Sequence, residues 1–246
     1  MKNGTDPKSP KFFAKLGILI GVIVEAVSVI FMNMSEAELQ HWIGKKDNLR
    51  KQLRTMFNIS DMFVEEKEQW RKFYQKHFSL ELNFSDIVIP EKPLEGNWRL
   101  LIIAQGLTLN QVFDSMVREF NCWRYSDDLD KSVTKNVRDT KVAYAIWVRD
   151  GAEPDEKYLG KSTNQADPDM KIGVTLLERM IHEIIFFDEK GLHLDIKGVT
   201  LCTGSRSSDG FVPRVFWALD YQQVYVHWSR VDNSYATYGL REAVSL

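Results

Sequence analysis

The stretch FVPRVFWALDYQQVYVHWSRVDNSYATYG, residues 211–239, lays two kinds of position over one another. VPRVFWAL and QVYVHW alternate with the two-residue period of a half-buried strand, which predicts a small antiparallel sheet joined by a turn. Val215, Trp217, Val224, Val226 and Trp228 read as strand core. Arg214 and Phe216 fall on the face opposite Val215 and Trp217, and Tyr225 and His227 on the face opposite Val224, Val226 and Trp228. Asp220 and Tyr221 occupy the turn, and Ser229, Arg230, Asn233, Ser234, Tyr235, Thr237 and Tyr238 follow in a polar loop. Tyrosine supplies contact area at low conformational-entropy cost, and Ser, Asn and Asp supply adaptable hydrogen bonds. One face anchors the fold and the other is free to recognise a ligand. The alternative is a sheet whose solvated face is polar and aromatic without further purpose.

Working back along the chain, TLLERMIHEIIFFDEKG (175–191) is the clearest helix. Thr175 and Glu178 form a capping box, Leu176, Leu177, Met180, Ile181, Ile184 and Ile185 make one stripe, and Gly191 closes it. WRLLIIAQ (98–105) predicts a buried strand leading into a helix capped by Thr108 and Gln111, and KVAYAIWVRD (141–150) predicts a second strand. Residues 122–140 and 151–169 read as polar connections. Pro90, Pro93 and Gly96 place a domain boundary near residue 95. The fold class is therefore α+β, with a mixed domain over 96–246 whose carboxyl end, about 211–241, is the binding face.

Residues 34–95 predict an antiparallel helical hairpin and a linker. Ser35 with Glu38 caps the first helix, which carries Leu39, Trp42, Ile43, Leu49 and Leu53, and a second helix from near Ser60 carries Met62, Phe63, Trp70, Phe73 and Tyr74. Residues 1–33 stand apart. LGILIGVIVEAVSVIFM (16–32) is at the short end for a spanning helix, and Glu25 near its centre costs at least about 2.5 kcal/mol on insertion scales. An uncleaved membrane anchor, a buried or partner-binding helix, and an upstream extension of a cytoplasmic protein starting at Met32 or Met34 are the three readings.

A net charge of −2 and a pI near 6.2 provide no basic field for nucleic acid. Cys122 and Cys202 stand far apart without zinc spacing, so no disulfide framework or metal site is read. HEIIF (182–186) lacks the second histidine of a zinc protease. Asp127, Asp128 and Asp130 lack the spacing of a calcium loop and read as a solvated loop. AQGLTLN has one glycine and no P-loop lysine, leaving a weak phosphate cradle at best. His193 with Asp195 could form an acid–base pair, and GSRSSDG (204–210) could hold an anion or be a surface turn. No motif implies a cofactor.

The runs LIIAQGLTLNQVF, TLLERMIHEIIFFDEKGLHLDIKGVTLCTGSRSSDGFVP and LREAVS resemble a group of uncharacterised proteins from uncultured candidate-phylum bacteria. Their tails in turn resemble the variable regions of diversity-generating retroelement target proteins. The resemblance covers roughly 34–246 and is most specific over 175–245. It implies a C-type-lectin-like domain in which adenine mutagenesis rewrites surface codons while the scaffold persists. Asp220, Tyr221, Tyr225, His227, Ser229, Arg230, Asn233, Ser234, Tyr235, Ala236, Thr237 and Tyr238 are residues that such mutagenesis can reach, whereas Gln222 and Gln223 are not. The targets commonly end near Gly-Phe-Arg, where this chain has Gly239, Leu240 and Arg241, and Glu242 stands where a basic residue is usual. No calcium–sugar signature is present.

These readings converge on a non-catalytic protein that binds a protein or glycan ligand through a diversifiable carboxyl-terminal surface. An enzyme using His193, Asp195 and the GSRSSDG turn, and an assembly protein acting through the helical hairpin, are the alternatives.

Overall fold

The computed structural model describes residues 10–45 and 63–246, divided between two units that part after Asp61. In the first, α1 (Pro10–Phe31) contains most of the apolar run and α2 (Glu36–Gly44) follows a short turn. The expected capping box forms: Ser35 N donates to Glu38 Oε2 at 2.8 Å and Glu38 N to Ser35 Oγ at 3.4 Å. Among the described residues no helix is long and apolar enough to cross a membrane. The turn of the expected helical hairpin falls within 46–62, outside the described residues.

The second unit opens with α3 (Val64–Phe78), then β1 (Trp98–Ile103), α4 (Leu109–Glu119), β2 (Cys122–Arg124), α5 (Leu129–Ser132), β3 (Val133–Asn136) and β4 (Tyr144–Arg149). It continues through a 3-10 turn (Glu156–Tyr158), α6 (Thr163–Ala166), α7 (Leu176–Lys190), β5 (Val199–Leu201), β6 (Ser205–Ser207), β7 (Val212–Ala218), β8 (Gln223–Ser229), β9 (Tyr238–Gly239) and β10 (Ala243–Val244). The chain is α+β. Strands β1, β4 and β10 make an antiparallel sheet, β3 and β6 pair alone, and a five-stranded sheet runs β2-β8-β7-β5-β9.

The β7–β8 hairpin forms as predicted, with Arg214 opposite His227 and Phe216 opposite Tyr225. Its sheet is mixed rather than antiparallel, because β2 joins β8 and β9 joins β5 in parallel. Both edge strands are too short to show a periodicity in sequence. The polar stretch 122–140 thus contributes two strands and a helical turn, and 151–169 contributes the 3-10 turn and α6.

Helix α3 falls in the same compact unit as the strands and helices that follow it. Trp70, Phe73 and Tyr74 share one buried cluster with Leu101 and Ile102 of β1, Val112 and Met116 of α4, and Val215, Val224 and Val226 of the hairpin. Tyr74 OH donates to the Ile102 carbonyl at 2.8 Å and accepts from Ala104 N at 3.0 Å, which covers the free edge of β1.

Helix α7 is the centre of the unit. Its Thr175–Glu178 capping box is complete, and Gly191 takes the left-handed conformation (φ +63°) that ends a helix without steric penalty. Leu176, Leu177, Met180, Ile181 and Ile184 are buried, each contributing about 1.5–3 kcal/mol, while Ile185 is half-buried. The opposite face is buried too: Glu178, Arg179, His182 and Glu183 have lost all contact with solvent. His182 lies inside as well, with Phe186 beside its ring and the Asp150 carboxylate 3.8 Å from Nε2.

Candidate functional site

Alternation along β7 and β8 sorts the predicted residues as expected over most of their length. Val215, Val224 and Val226 are fully buried beneath the sheet, and Trp217 and Trp228 pack half-buried against the same core. On the outer face Arg214, Phe216, Tyr225 and His227 stay half-open. Parallel pairing sets Trp123 of β2 beside Tyr225, so the aromatic row continues across three strands. Phe216 and Tyr225 stand 5.6 Å apart, Tyr225 and Trp123 4.9 Å, and His227 and Tyr125 4.9 Å between ring centres. Tyr221, exposed at the hairpin tip beside Asp220, leans within 5.7 Å of Tyr225.

At the end of this row opens a cleft of about 470 Å³. Its lining includes His227, Ser229, Arg230 and Asn233 from the predicted surface, and Ser207, Ser208 and Asp209 from the GSRSSDG turn. Two features separated in sequence are thereby brought to one place. Tyr125, Ser126, Ser132 and Phe211 complete it together with Trp228, assigned from sequence to the core but exposed on one side to the cleft. Trp123 and Tyr125 were missed by the sequence reading. The signal was present in CWRY, where two aromatics two apart share a strand face.

Two predicted site residues are buried. Ser229 is buried at the end of β8, where its hydroxyl accepts from Asn233 Nδ2 at 3.3 Å. Tyr238 is buried in a small second cluster with Val199, Leu201 and Val212 because β9 runs beside β5, and its hydroxyl accepts a hydrogen bond from Arg214. Ser234, Tyr235 and Thr237 are exposed on the loop between β8 and β9. That loop is held at both ends: Asn164 N donates to the Val231 carbonyl at 3.0 Å and Gly160 N to the Tyr238 carbonyl at 2.8 Å.

Burial lowers the pKa of His227, the Trp228 carbonyl opposes this, and the charge of Arg214 adds to the lowering, so the ring is neutral at pH 7. Arg230 pairs on the surface with Asp232 at 3.1 Å.

The residues of the enzymatic alternative are not brought together. His193 Nδ1 lies 2.9 Å from Glu183 Oε1, and its ring stacks on Trp217 with centres 3.7 Å apart. Asp195, in a left-handed turn (φ +58°) rather than a strand, faces away to accept from Arg179 Nη2 at 2.8 Å and Thr200 Oγ1 at 2.6 Å, and it also pairs with Arg241. Burial opposes its charged form, but Arg241 and Arg179 outweigh this and hold the carboxyl below its usual range. Both cysteine thiols are pushed up by burial and stay protonated. The acidic trio is not a plain solvated loop: Asp128 caps α5, and Asp130 accepts from Leu109 N at 2.7 Å, filling the start of α4 where a phosphate was considered. Among the described residues no group of acidic, histidine and cysteine side chains is arranged to hold a metal.

No family model matches the chain, and no curated protein and no solved structure matches it either.

Proposed function

We propose that this is a non-catalytic binding protein that recognises a protein or glycan ligand with the outer face of the five-stranded sheet and the cleft at its end. The observation that carries this reading is the continuity of the aromatic row from Phe216 through Tyr225 and Trp123 into a cleft lined by short hydroxyl, amide and carboxylate side chains. A rigid aromatic surface next to adaptable hydrogen-bonding groups is the composition of a binding site without chemistry.

The diversifiable character of the surface is part of the same proposal. Apart from Ser229 and Tyr238, every position that adenine mutagenesis can reach is exposed or half-open, while Val215, Val224 and Val226 beneath them are buried. The Gly-Leu-Arg end also suits a scaffold role, since Leu240 and Arg241 are both buried. A C-type-lectin-like relationship is proposed on those residues alone.

The test is a library randomised at Tyr225, His227, Asn233, Ser234 and Tyr235, scored once for folding and separately for binding on glycan and protein arrays. Most members should fold, and array profiles should differ from member to member. A library in which most members unfold would show these residues to be structural and end the proposal. Sequencing the 3′ end of the gene across one natural population should find variation concentrated at the same codons.

A further inference from the structure

Arg214 carries a charge that no carboxylate balances among the described residues. It sits at the middle of β7, directly opposite His227, which lines the cleft. Its side chain is half-buried, its Nε is fully enclosed without a hydrogen-bond partner, and its one hydrogen bond goes to the neutral hydroxyl of Tyr238. The guanidinium carbon lies 5.4 Å from the ring centres of both Phe216 and Tyr238. Ring faces attract a cation but accept nothing from the in-plane N–H fork, so most of its donor capacity is unspent.

Half-buried Arg124 and Arg206 also lack a carboxylate among the described residues, but each donates to oxygen, Arg124 to Asn110 Oδ1 at 3.2 Å and Arg206 to the Thr203 and Ser205 carbonyls at 2.7 Å, and neither leaves an enclosed nitrogen unpartnered. The more deeply enclosed arginines are paired with carboxylates. Arg179 is matched by Glu183 and Asp195, Arg241 by Asp195, Arg138 by Glu178 and Arg99 by Asp150 and Glu189. A partly desolvated, unpaired cation is costly and persists where something from outside completes it. A planar guanidinium matches two oxygens of a carboxylate or phosphate at once. We propose that the ligand of this face carries an oxyanion, a carboxylate or phosphate borne on a flat or apolar body, and that Arg214 is the residue that reads it. The aromatic row beside it receives the body. This rests on the recognition-face reading above and deepens it.

The probes are benzoate, phenyl phosphate and uncharged benzyl alcohol, titrated into the full chain and followed by tryptophan fluorescence, since Trp123 lies in the row. At least one of the two anions should bind at least about tenfold more tightly than benzyl alcohol, a difference of about 1.4 kcal/mol. Its affinity should weaken as salt rises from about 50 to about 500 mM. Arg214→Gln should remove the preference and Arg214→Lys should keep part of it. Which anion binds tells carboxylate from phosphate. The charged-against-uncharged comparison on the unaltered protein decides even if Arg214→Gln folds poorly. Equal binding of all three probes, binding of none, or a preference that survives in a folded Arg214→Gln overturns the assignment. Equal binding that is lost in Tyr225→Ala would end the oxyanion and leave the recognition face standing, whereas the randomised library tests that face by itself.

Discussion

Helix α7 and the β7–β8 hairpin use similar side chains to opposite ends. Around α7, Arg179, Glu183, Asp195 and Arg241 are without solvent contact and each is paired. On the hairpin, Arg214, Asp220, Tyr225 and His227 are open or half-open, and among the described residues Arg214 has no acidic partner. Charge alone therefore does not mark a site in this protein. On the proposed reading, structure and recognition differ in whether the ionic partner of a charged side chain lies inside the molecule or comes from a ligand.

Removing one member of the inner network is the strongest way to break that contrast. Asp195→Ala leaves Arg179 and Arg241 facing each other across a dry space and should cost about 3–5 kcal/mol in chemical denaturation. Arg214→Gln, which strands no charge, should cost about 1 kcal/mol or less. Comparable losses at the two positions would show that Arg214 is part of the framework.

The apolar side of α7 comes next. Ile181→Ala should cost about 2–5 kcal/mol, the spread depending on how far its neighbours close the cavity. An unmoved denaturation midpoint would contradict its place in the core.

His182 sharpens the comparison through pH. Burial depresses its pKa to about 4, against the pull of Asp150, whose carboxylate is 3.8 Å from Nε2, too far for a hydrogen bond. Neither ring nitrogen has a hydrogen-bond partner. In the unfolded chain the ring titrates near 6.5, so between about pH 6.5 and 4 the unfolded state binds more protons and stability falls as pH falls. The loss over that window should be about 3 kcal/mol, and His182→Leu should flatten it while leaving stability at pH 7 nearly unchanged or higher. Asp155 works in the opposite sense. Burial raises its pKa to about 6, so its contribution is present at low pH and is lost as pH rises through 6. Asp155→Asn keeps the acceptor for Glu242 N and should therefore stabilise the protein at pH 7 by about 2 kcal/mol and have no effect near pH 4.

The smallest effects belong to the outer face. Tyr225→Ala, Asn233→Ala and Tyr235→Ala should each change stability by about 0.5 kcal/mol or less. The same changes should weaken ligand capture, most at the tyrosines, where one anchor is worth about 2 kcal/mol or more. A large melting shift at Tyr225 would move it from the recognition set to the scaffold, where Tyr238 already belongs.

The sequence by itself determined the local elements. The capping boxes at Ser35, Thr108 and Thr175, the stripe of α7, the strands around 98–103 and 144–149 and the two-residue alternation of the hairpin all depend on neighbours a few residues apart. A fourth box, Ser162 with Gln165, was equally legible and went unread inside a stretch taken for loop. Tertiary structure alone decided which polar residues face inward. Trp123 enters the aromatic row only because β2 docks in parallel on β8, Tyr238 leaves it because β9 docks on β5, and the GSRSSDG turn meets the tail only through the β6–β7 connection. His193 and Asp195 turn apart because a left-handed residue, not a strand, separates their directions, and the arginines that claim Asp195 lie 16 residues before it and 46 after it. Spacing along a chain encodes helical and strand faces, whereas pairing across such separations is set by how the elements pack, and that is where this protein separates its framework from its surface.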